Sequence, residues 1–191
     1  MKKLALFVLL TSLAAGAYAQ APAVPAAPGA APAAAPAAPP AKPVSMADKK
    51  LIKDLSDVVL IDQAYLKVLV DSKVSLGQSL DSDMKKSDGN LKRMWTALAS
   101  LGTAKKAELA TEISKSDLAK VQKLSKEKPD KFQKEFFKDF SKETAKSVKL
   151  LDGAKSIQDP ELKIFIEDWT GTVKGVNLFA ESGERAATAK K

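Results

Sequence analysis

The sequence predicts an all-α protein, a bundle of about four main helices behind a signal peptide and a disordered Ala/Pro linker. Apolar residues recur at steps of three, four and seven, and strand-like alternation is absent. Nearly all of the large aromatic residues that follow the predicted signal lie within residues 130–182, which predicts two long helices with a break near Gly153 and a restart at Asp159-Pro160. Two apolar helix faces are unstable in water, so further helices must cover them.

The first 19 residues have the parts of a secretory signal. Lys2 and Lys3 form a basic start, residues 4–10 are apolar, and Ala17-Tyr18-Ala19 is an A-x-A cleavage site. The apolar run is shorter than the roughly 20 residues that a membrane span needs. We therefore predict an exported protein of the periplasm or outer membrane, with an uncleaved anchor as the alternative.

Residues 20–44 are almost entirely Ala and Pro, and they contain eight of the ten prolines. Proline disfavours helix in the residue before it and removes backbone donors, so this stretch predicts a disordered linker. It is either a spacer or a tail without consequence. We place the helical domain at residues 45–182, and the small, charged residues 183–191 predict a frayed tail.

The first helix should begin at Ser45, because Ser45 and Asp48 have the spacing of a capping box. Residues 72–79 predict a turn containing Gly77. A second helix follows over residues 80–101, with a kink or a loosened turn at residues 88–90 and Gly102 as its C-terminal cap.

Residues 104–126 predict one or two short helices, and Ser114 or Ser116 could cap the last of them. No internal period indicates a repeat protein.

The chain contains no histidine and no cysteine. The commonest nucleophile and base arrangements and Cys/His zinc sites are therefore excluded. The glycine-rich phosphate loops of nucleotide-binding proteins are also missing from the sequence. We predict a protein that is not an enzyme, uses no cofactor and is stabilised by packing without disulfides.

The formal net charge is +8, and lysine supplies nearly all of the basic residues. The lysines are scattered along helical faces, which indicates a solvated surface. A nucleic-acid-binding protein concentrates arginine and aromatic residues on one face, whereas Arg93 and Arg185 are the only arginines here. We predict no nucleic-acid partner, and attraction to anionic cell-wall or membrane surfaces stays open.

Asp62 is the polar residue that the pattern singles out, because it falls on the apolar stripe of the first helix between Val58 and Leu66. A carboxylate on such a face is costly unless it is paired or bound to a cation. Asp62 could join carboxylates of neighbouring helices in an oxygen-only metal site. The alternative interpretation places it at the margin of the stripe, in contact with water or a lysine.

Two motifs carry a family resemblance. Residues 132–144, with their four phenylalanines, and the run Asp159-Pro-Glu-Leu-Lys163 resemble the exported bacterial family known as domain of unknown function 4142. The resemblance covers roughly residues 47–180. It implies a ferritin-like up-down bundle behind a signal peptide and a low-complexity linker.

Members of that family commonly carry three histidines and an acidic residue of the first helix. The resemblance puts the histidine positions at Met84, Thr144 and Val176, and the acidic position at Asp62. All three imidazoles are thus replaced, and a di-iron centre of the Glu-x-x-His type cannot form. We expect a bundle that keeps the shape and has an apolar interior in place of a polar one.

The leading functional prediction is a non-enzymatic envelope protein, a helical binding or structural module with an unknown partner. One alternative is a ferritin-like metal-binding protein linked to oxidative stress, which is a fold analogy. The other is a lysine-rich binder of anionic cell-wall or membrane surfaces.

Overall fold

The computed structural model describes residues 44–154 and 157–189. Within these two ranges the chain is helical and contains no strand. The helices are α1 (Met46–Asp71), α2 (Gln78–Lys105), α3 (Lys115–Leu124), α4 (Pro129–Gly153) and α5 (Pro160–Ala189). The predicted signal peptide and all but one residue of the predicted linker lie outside the described residues. None of the described helices is long and apolar enough to cross a membrane.

Several helix ends are those that the sequence predicts. The Oγ of Ser45 accepts a hydrogen bond from the backbone N–H of Asp48 at 3.0 Å and caps α1. Ser114, rather than Ser116, caps α3. The carboxylate of Asp159 accepts from the N–H of Leu162 at 2.9 Å, directly before the first residue of α5. These side chains satisfy N–H groups that a helix start leaves without partners.

The predicted end of the second helix was wrong. Helix α2 is continuous through residues 88–90 and passes Gly102, and its cap is Lys106 in the left-handed conformation. Gly102 is buried inside the last turns of α2, where a Cβ atom would lie 3.0 Å from the side chain of Leu109. The glycine at this position therefore gives Leu109 room to pack and does not end the helix.

The predicted frayed tail was also wrong for the residues that the structure describes. Helix α5 continues past Ser182 to Ala189. Gly183 is buried against the ring of Phe137 on α4, which extends the α4–α5 contact by a further turn.

The core consists of two clusters, one toward each end of the bundle. The aromatic cluster takes the C-terminal halves of α1 and α5 and the N-terminal halves of α2 and α4. Its large members include Tyr65, Phe132, Phe136, Phe140 and Phe179. The second cluster takes the opposite half of each helix and includes Ile52, Leu55, Leu98, Leu151 and Leu162.

This division fixes the direction of each helix. Helices α1 and α5 run one way, and α2 and α4 run the other way. Alternating directions along the chain, which an up-down bundle requires, are therefore not found. The reason is the connection of residues 106–128, which must travel between opposite ends of helices that are about 39 Å long.

The crossover follows α1. At its start, the ammonium of Lys53 lies 3.2 Å from Glu108, and the Oγ of Ser56 accepts from the N–H of Ala110 at 2.7 Å. At its other end, Val121 and Leu124 of α3 join the aromatic cluster. Helix α3 contacts both α1 and α4, so it covers the groove between these two long helices.

Candidate functional site

Asp62 lies inside the bundle, between the two core clusters, and only 2% of it is exposed. Its Oδ2 accepts a hydrogen bond from the Oγ of Ser147 on α4 at 3.1 Å. Its Oδ1 is buried and has no hydrogen-bond partner in the described part of the chain. The interpretation of Asp62 as a margin residue in contact with water or a lysine was therefore wrong.

Burial raises the pKa of Asp62 from 3.8 to about 7. The hydrogen bond from Ser147 opposes this shift, and the nearby negative charge of Glu143 adds to it. A buried carboxylate loses the hydrogen bonds that water makes to its charged form, and the single hydroxyl of Ser147 does not replace them. The neutral form is therefore favoured. Near neutral pH, Asp62 is therefore present in both the protonated and the ionised form.

The single proton of the Ser147 hydroxyl has two acceptors. The Asp62 carboxylate lies at 3.1 Å, and the backbone carbonyl of Glu143, one turn earlier on α4, lies at 3.4 Å. With Asp62 ionised, the hydroxyl donates to the carboxylate. With Asp62 protonated, the carboxyl can donate to the Oγ of Ser147 while that hydroxyl turns to the carbonyl, so both forms have a hydrogen-bonded arrangement.

A pocket of about 220 Å³ opens beside this pair. It lies where α3 crosses the groove between α1 and α4. Four carboxylates and one ammonium group are among its lining residues: Asp57, Asp62, Asp117, Glu143 and Lys146. The pocket is therefore polar and mainly acidic.

Two lysines bind the Glu143 carboxylate. The ammonium of Lys146 lies 2.8 Å from one of its oxygens, and that of Lys120 lies 3.5 Å away. Lys120 also pairs with Asp117 at 2.7 Å, so it joins α3 to α4 across the mouth of the pocket. The hydrogen bond from Lys120, with a second from Ser114, lowers the pKa of Asp117. Of these ion pairs, Lys120–Glu143 is the one that connects α3 to α4 beside the pocket.

The three positions that the resemblance assigns to histidines do not form one site with Asp62. Met84 and Val176 pack in the aromatic cluster, Met84 half-buried and Val176 buried. Thr144 is fully buried, and its hydroxyl lies 2.9 Å from the side-chain oxygen of Asn177 on α5. Met84 and Val176 thus contact apolar side chains of the aromatic cluster.

A ferritin-type metal centre does not fit these residues. Asp62 is bonded to Ser147, the Thr144 hydroxyl to Asn177, and Glu143 to two lysines. Across residues 44–154 and 157–189, no three or more His, Cys, Asp or Glu side chains are placed to hold a metal ion together. The pocket brings Asp62 and Glu143 together, but lysine ammonium groups occupy the positions around Glu143.

The interior is less apolar than expected. Asp62, Thr144 and Ser147 form a buried polar layer between the two core clusters, and Thr144 contacts the half-buried Asn177. The sequence interpretation missed Ser147, although the signal was available: Ser147 lies seven residues after Phe140 and four before Leu151, on the buried stripe of α4. A small polar residue on such a stripe is the signal that identified Asp62.

Tyr65 is a second residue that the sequence interpretation missed. Its ring stacks on Phe140 at 5.4 Å, and it is 1% exposed. Its hydroxyl has no hydrogen-bond partner among the described residues, and burial raises its pKa above the usual range. It lies one turn after Asp62, which places a second unsatisfied buried oxygen on the next turn of α1.

The family model described as Domain of unknown function (DUF4142) matches residues 31–177. This chain belongs to the DUF4142 family. The match confirms the family named from the motifs and includes both Asp62 and Ser147. No curated protein and no solved structure matches this DUF4142 chain. The family description assigns no activity, so any function must be argued from the residues themselves.

Proposed function

We propose that this chain is a non-enzymatic, exported helical binding module of the bacterial cell envelope, in the periplasm or attached to the outer membrane. The signal pattern of residues 1–19 and the Ala/Pro linker support export. The bundle would then present its surface, rather than a reactive interior, to a partner.

The burial of the Asp62–Ser147 pair carries the non-enzymatic part of the proposal. A serine hydroxyl that donates to a carboxylate with a pKa of about 7 resembles a nucleophile and its base. Ser147, however, is 2% exposed and lies on the inner face of α4. Since only 2% of Ser147 is exposed even beside the acidic pocket, we interpret the pair as a buried polar contact between α1 and α4.

A ferritin-like classification is the finer part of the proposal. Four long helices with one long crossover are typical of ferritin-like bundles, whereas simple up-down bundles have short connections throughout. The crossover of residues 106–128 between α2 and α4 supports that classification. Such a likeness concerns shape and carries no activity with it.

Location is tested by fractionating native cells that produce the epitope-tagged chain, followed by mass spectrometry of its N-terminus. We expect the protein in the envelope fraction with Gln20 as its first residue. Substituting Ala17→Phe and Ala19→Phe should retain the uncleaved form. An intact, unprocessed wild-type chain in the cytoplasm would overturn the proposal.

The absence of nucleophilic chemistry is tested with a fluorophosphonate probe for activated serines. We expect the wild-type chain and Ser147→Ala to give the same background labelling, since the hydroxyl is not accessible. Labelling of the wild-type protein that Ser147→Ala abolishes would show a reactive serine and refute the non-enzymatic assignment.

A metal-binding role linked to oxidative stress is the alternative, favoured by the presence of Asp62 and Glu143 in one pocket. The two lysines on Glu143 weigh against it, because they compete with a cation for the same oxygens. Elemental analysis of the protein from native cells separates the two functions. Iron or manganese near one equivalent, lost in Asp62→Asn, would favour the alternative.

A further inference from the structure

The outer face of α4 carries a row of lysines. The lysine row consists of Lys131, Lys134, Lys138, Lys142 and Lys149, whose steps of three, four, four and seven keep them on one side of the helix. All five are exposed. The row is about 27 Å long at 1.5 Å per residue. It lies opposite the face that buries Phe136, Phe140 and Leu151.

The ammonium groups of the lysine row make no ion pair or hydrogen bond with another described side chain, in contrast to several lysines nearby. Lys120 and Lys146 bind Glu143, and Lys105 binds Asp159 and Glu161. Lys120 connects α3 to α4 and Lys105 connects the end of α2 to the start of α5, whereas Lys146 pairs within α4. The lysine row contributes nothing of that sort to the fold, so its charge is available to a partner.

The positive surface is narrow. Glu135 and Asp139 are half-buried and follow the row on the side of α4 that leads to Glu143 and the acidic pocket. A flat anionic surface that touched the lysine row would also meet these carboxylates, and like charges at close range cost free energy. A thin chain lying along the row would avoid them.

We propose that the lysine row is the docking surface for a linear, phosphate-bearing polyanion of the cell envelope. Five point charges in single file match a chain that carries negative groups along its length. Lysine binds phosphate as a point charge, and the row lacks the arginine fork that bidentate recognition of a single carboxylate or phosphate uses, so the row matches the repeated charge of a chain and not one planar group. This inference rests on the proposed function only in one respect, namely that the polyanion belongs to the cell envelope. The match between the lysine row and a linear polyanion does not depend on it.

Binding of this kind releases counterions, so its affinity falls steeply with salt. For single-stranded nucleic acids, each neutralised phosphate contributes about −0.7 to the slope of log affinity against log salt, and we take the same value for a linear polyphosphate. Loss of three lysines from the row should therefore reduce the magnitude of that slope by about 2.

The test is fluorescence anisotropy of labelled linear inorganic polyphosphate with the purified chain across a salt series. The test variant is Lys134→Gln, Lys138→Gln and Lys142→Gln together. The matched control is Lys85→Gln, Lys86→Gln and Lys163→Gln, three exposed lysines of α2 and α5 without ion pairs to described residues. Circular dichroism verifies that both variants are folded.

We expect the test variant to lose at least tenfold in affinity at low salt and the control no more than about twofold, with the slope reduced only in the test variant. Equal losses in both variants would show a general charge effect and overturn the proposal. So would absence of binding by the wild-type chain, or binding to phosphatidylglycerol vesicles in preference to polyphosphate. A cytoplasmic location with intact row-dependent binding would instead refute only the proposed function.

Discussion

The hydroxyl of Ser147 on α4 donates a hydrogen bond across 3.1 Å to the carboxylate of Asp62 on α1, and both residues are 2% exposed. The two residues are 85 positions apart in the chain. This contact joins two long helices at the polar layer between the two core clusters. Since one partner titrates, the contact makes stability depend on pH.

Wild-type stability should fall as the pH rises from about 4 to about 7. The pKa of Asp62 is about 7 in the folded protein and 3.8 as its ordinary value, so the native state holds an extra proton in this window. The free energy of unfolding therefore decreases between about pH 4 and pH 7. Above pH 7 the ionisation of Asp62 causes no further change. The full difference is at most about 4 kcal/mol, at 1.36 kcal/mol for each pKa unit.

Urea unfolding of wild type, Asp62→Asn and Asp71→Asn at half-unit pH steps measures this effect. Asp62→Asn should remove most of the decrease, because the amide does not ionise. Asp71, which is exposed at the end of α1, is the control and should leave the curve unchanged. A wild-type curve parallel to that of Asp62→Asn between pH 4 and 7 would contradict the assigned pKa.

Ser147→Ala should destabilise the protein more at pH 8 than at pH 5. At pH 8 Asp62 is mostly ionised and would lose its hydrogen bond, which costs about 1.5–3 kcal/mol for a charged acceptor. At pH 5 Asp62 is protonated, and the loss is that of a neutral bond, about 1 kcal/mol. The free energies of unfolding at the two pH values give the comparison, and Ser100→Ala on the exposed face of α2 is the control. An equal loss at both values would mean that the proton does not reside on Asp62.

The sequence predicted the two long helices around Asp159-Pro160, because caps and apolar periodicity are local signals. It did not predict that α2 and α4 run in the same direction. That direction depends on where residues 106–128 lie, and contacts such as Lys53–Glu108 that place them join distant parts of the chain. The tail was missed for the same reason, since a glycine looks like a helix end until Phe137 is known to lie against it.

The sequence predicted one of the two residues of the buried pair, Asp62, and not the other, Ser147. Asp62 was identified because an acid interrupts an apolar stripe. Ser147 also lies on an apolar stripe, but it was missed because a small hydroxyl residue interrupts such a stripe less distinctly than an acid does. The lysine row was likewise overlooked when lysines were counted over the whole chain. The row is recognised once residues 131–149 are known to form one helix and the lysines that make ion pairs are distinguished from those that do not.

Two glycines of α5 should respond oppositely to substitution by alanine. At Gly183 a Cβ atom would lie 2.1 Å from the ring of Phe137, which is fully buried and cannot move aside. We expect Gly183→Ala to lower the free energy of unfolding by about 2–3 kcal/mol through overpacking. At Gly175 nothing lies within 4 Å of the Cβ position, so Gly175→Ala should raise it by about 0.5–1 kcal/mol.

Thermal and urea unfolding of both variants check this pair. The double variant Gly183→Ala with Phe137→Leu separates the steric explanation from a general loss of helix flexibility. The smaller side chain should recover part of the loss, so the two changes should not be additive. Additive effects, or a Gly183→Ala protein as stable as wild type, would mean that the end of α5 does not pack on α4.

Lys105 should stabilise the junction between the end of α2 and the start of α5. Its ammonium lies 2.8 Å from Asp159 and 2.6 Å from Glu161, and both Lys105 and Asp159 are nearly buried. Lys105→Gln leaves the Asp159 carboxylate without its cation, which should cost about 2 kcal/mol. Lys163→Gln, an exposed lysine in the first turn of α5, should change stability by less than about 0.5 kcal/mol.

Hydrogen exchange of the first turn of α5 shows whether that loss is local. In this variant the Asp159 carboxylate can still accept a hydrogen bond from the N–H of Leu162. Without its cation, however, we expect the carboxylate to turn toward water, which weakens this capping hydrogen bond. The amides of Leu162 and Lys163 should therefore exchange faster in Lys105→Gln. The amides beside Phe136 and Phe140, in the cluster at the opposite end, should change only as much as the free energy of global unfolding changes. If these amides exchange faster only to the extent that the whole protein is destabilised, Lys105 has a general electrostatic role and does not specifically stabilise this junction.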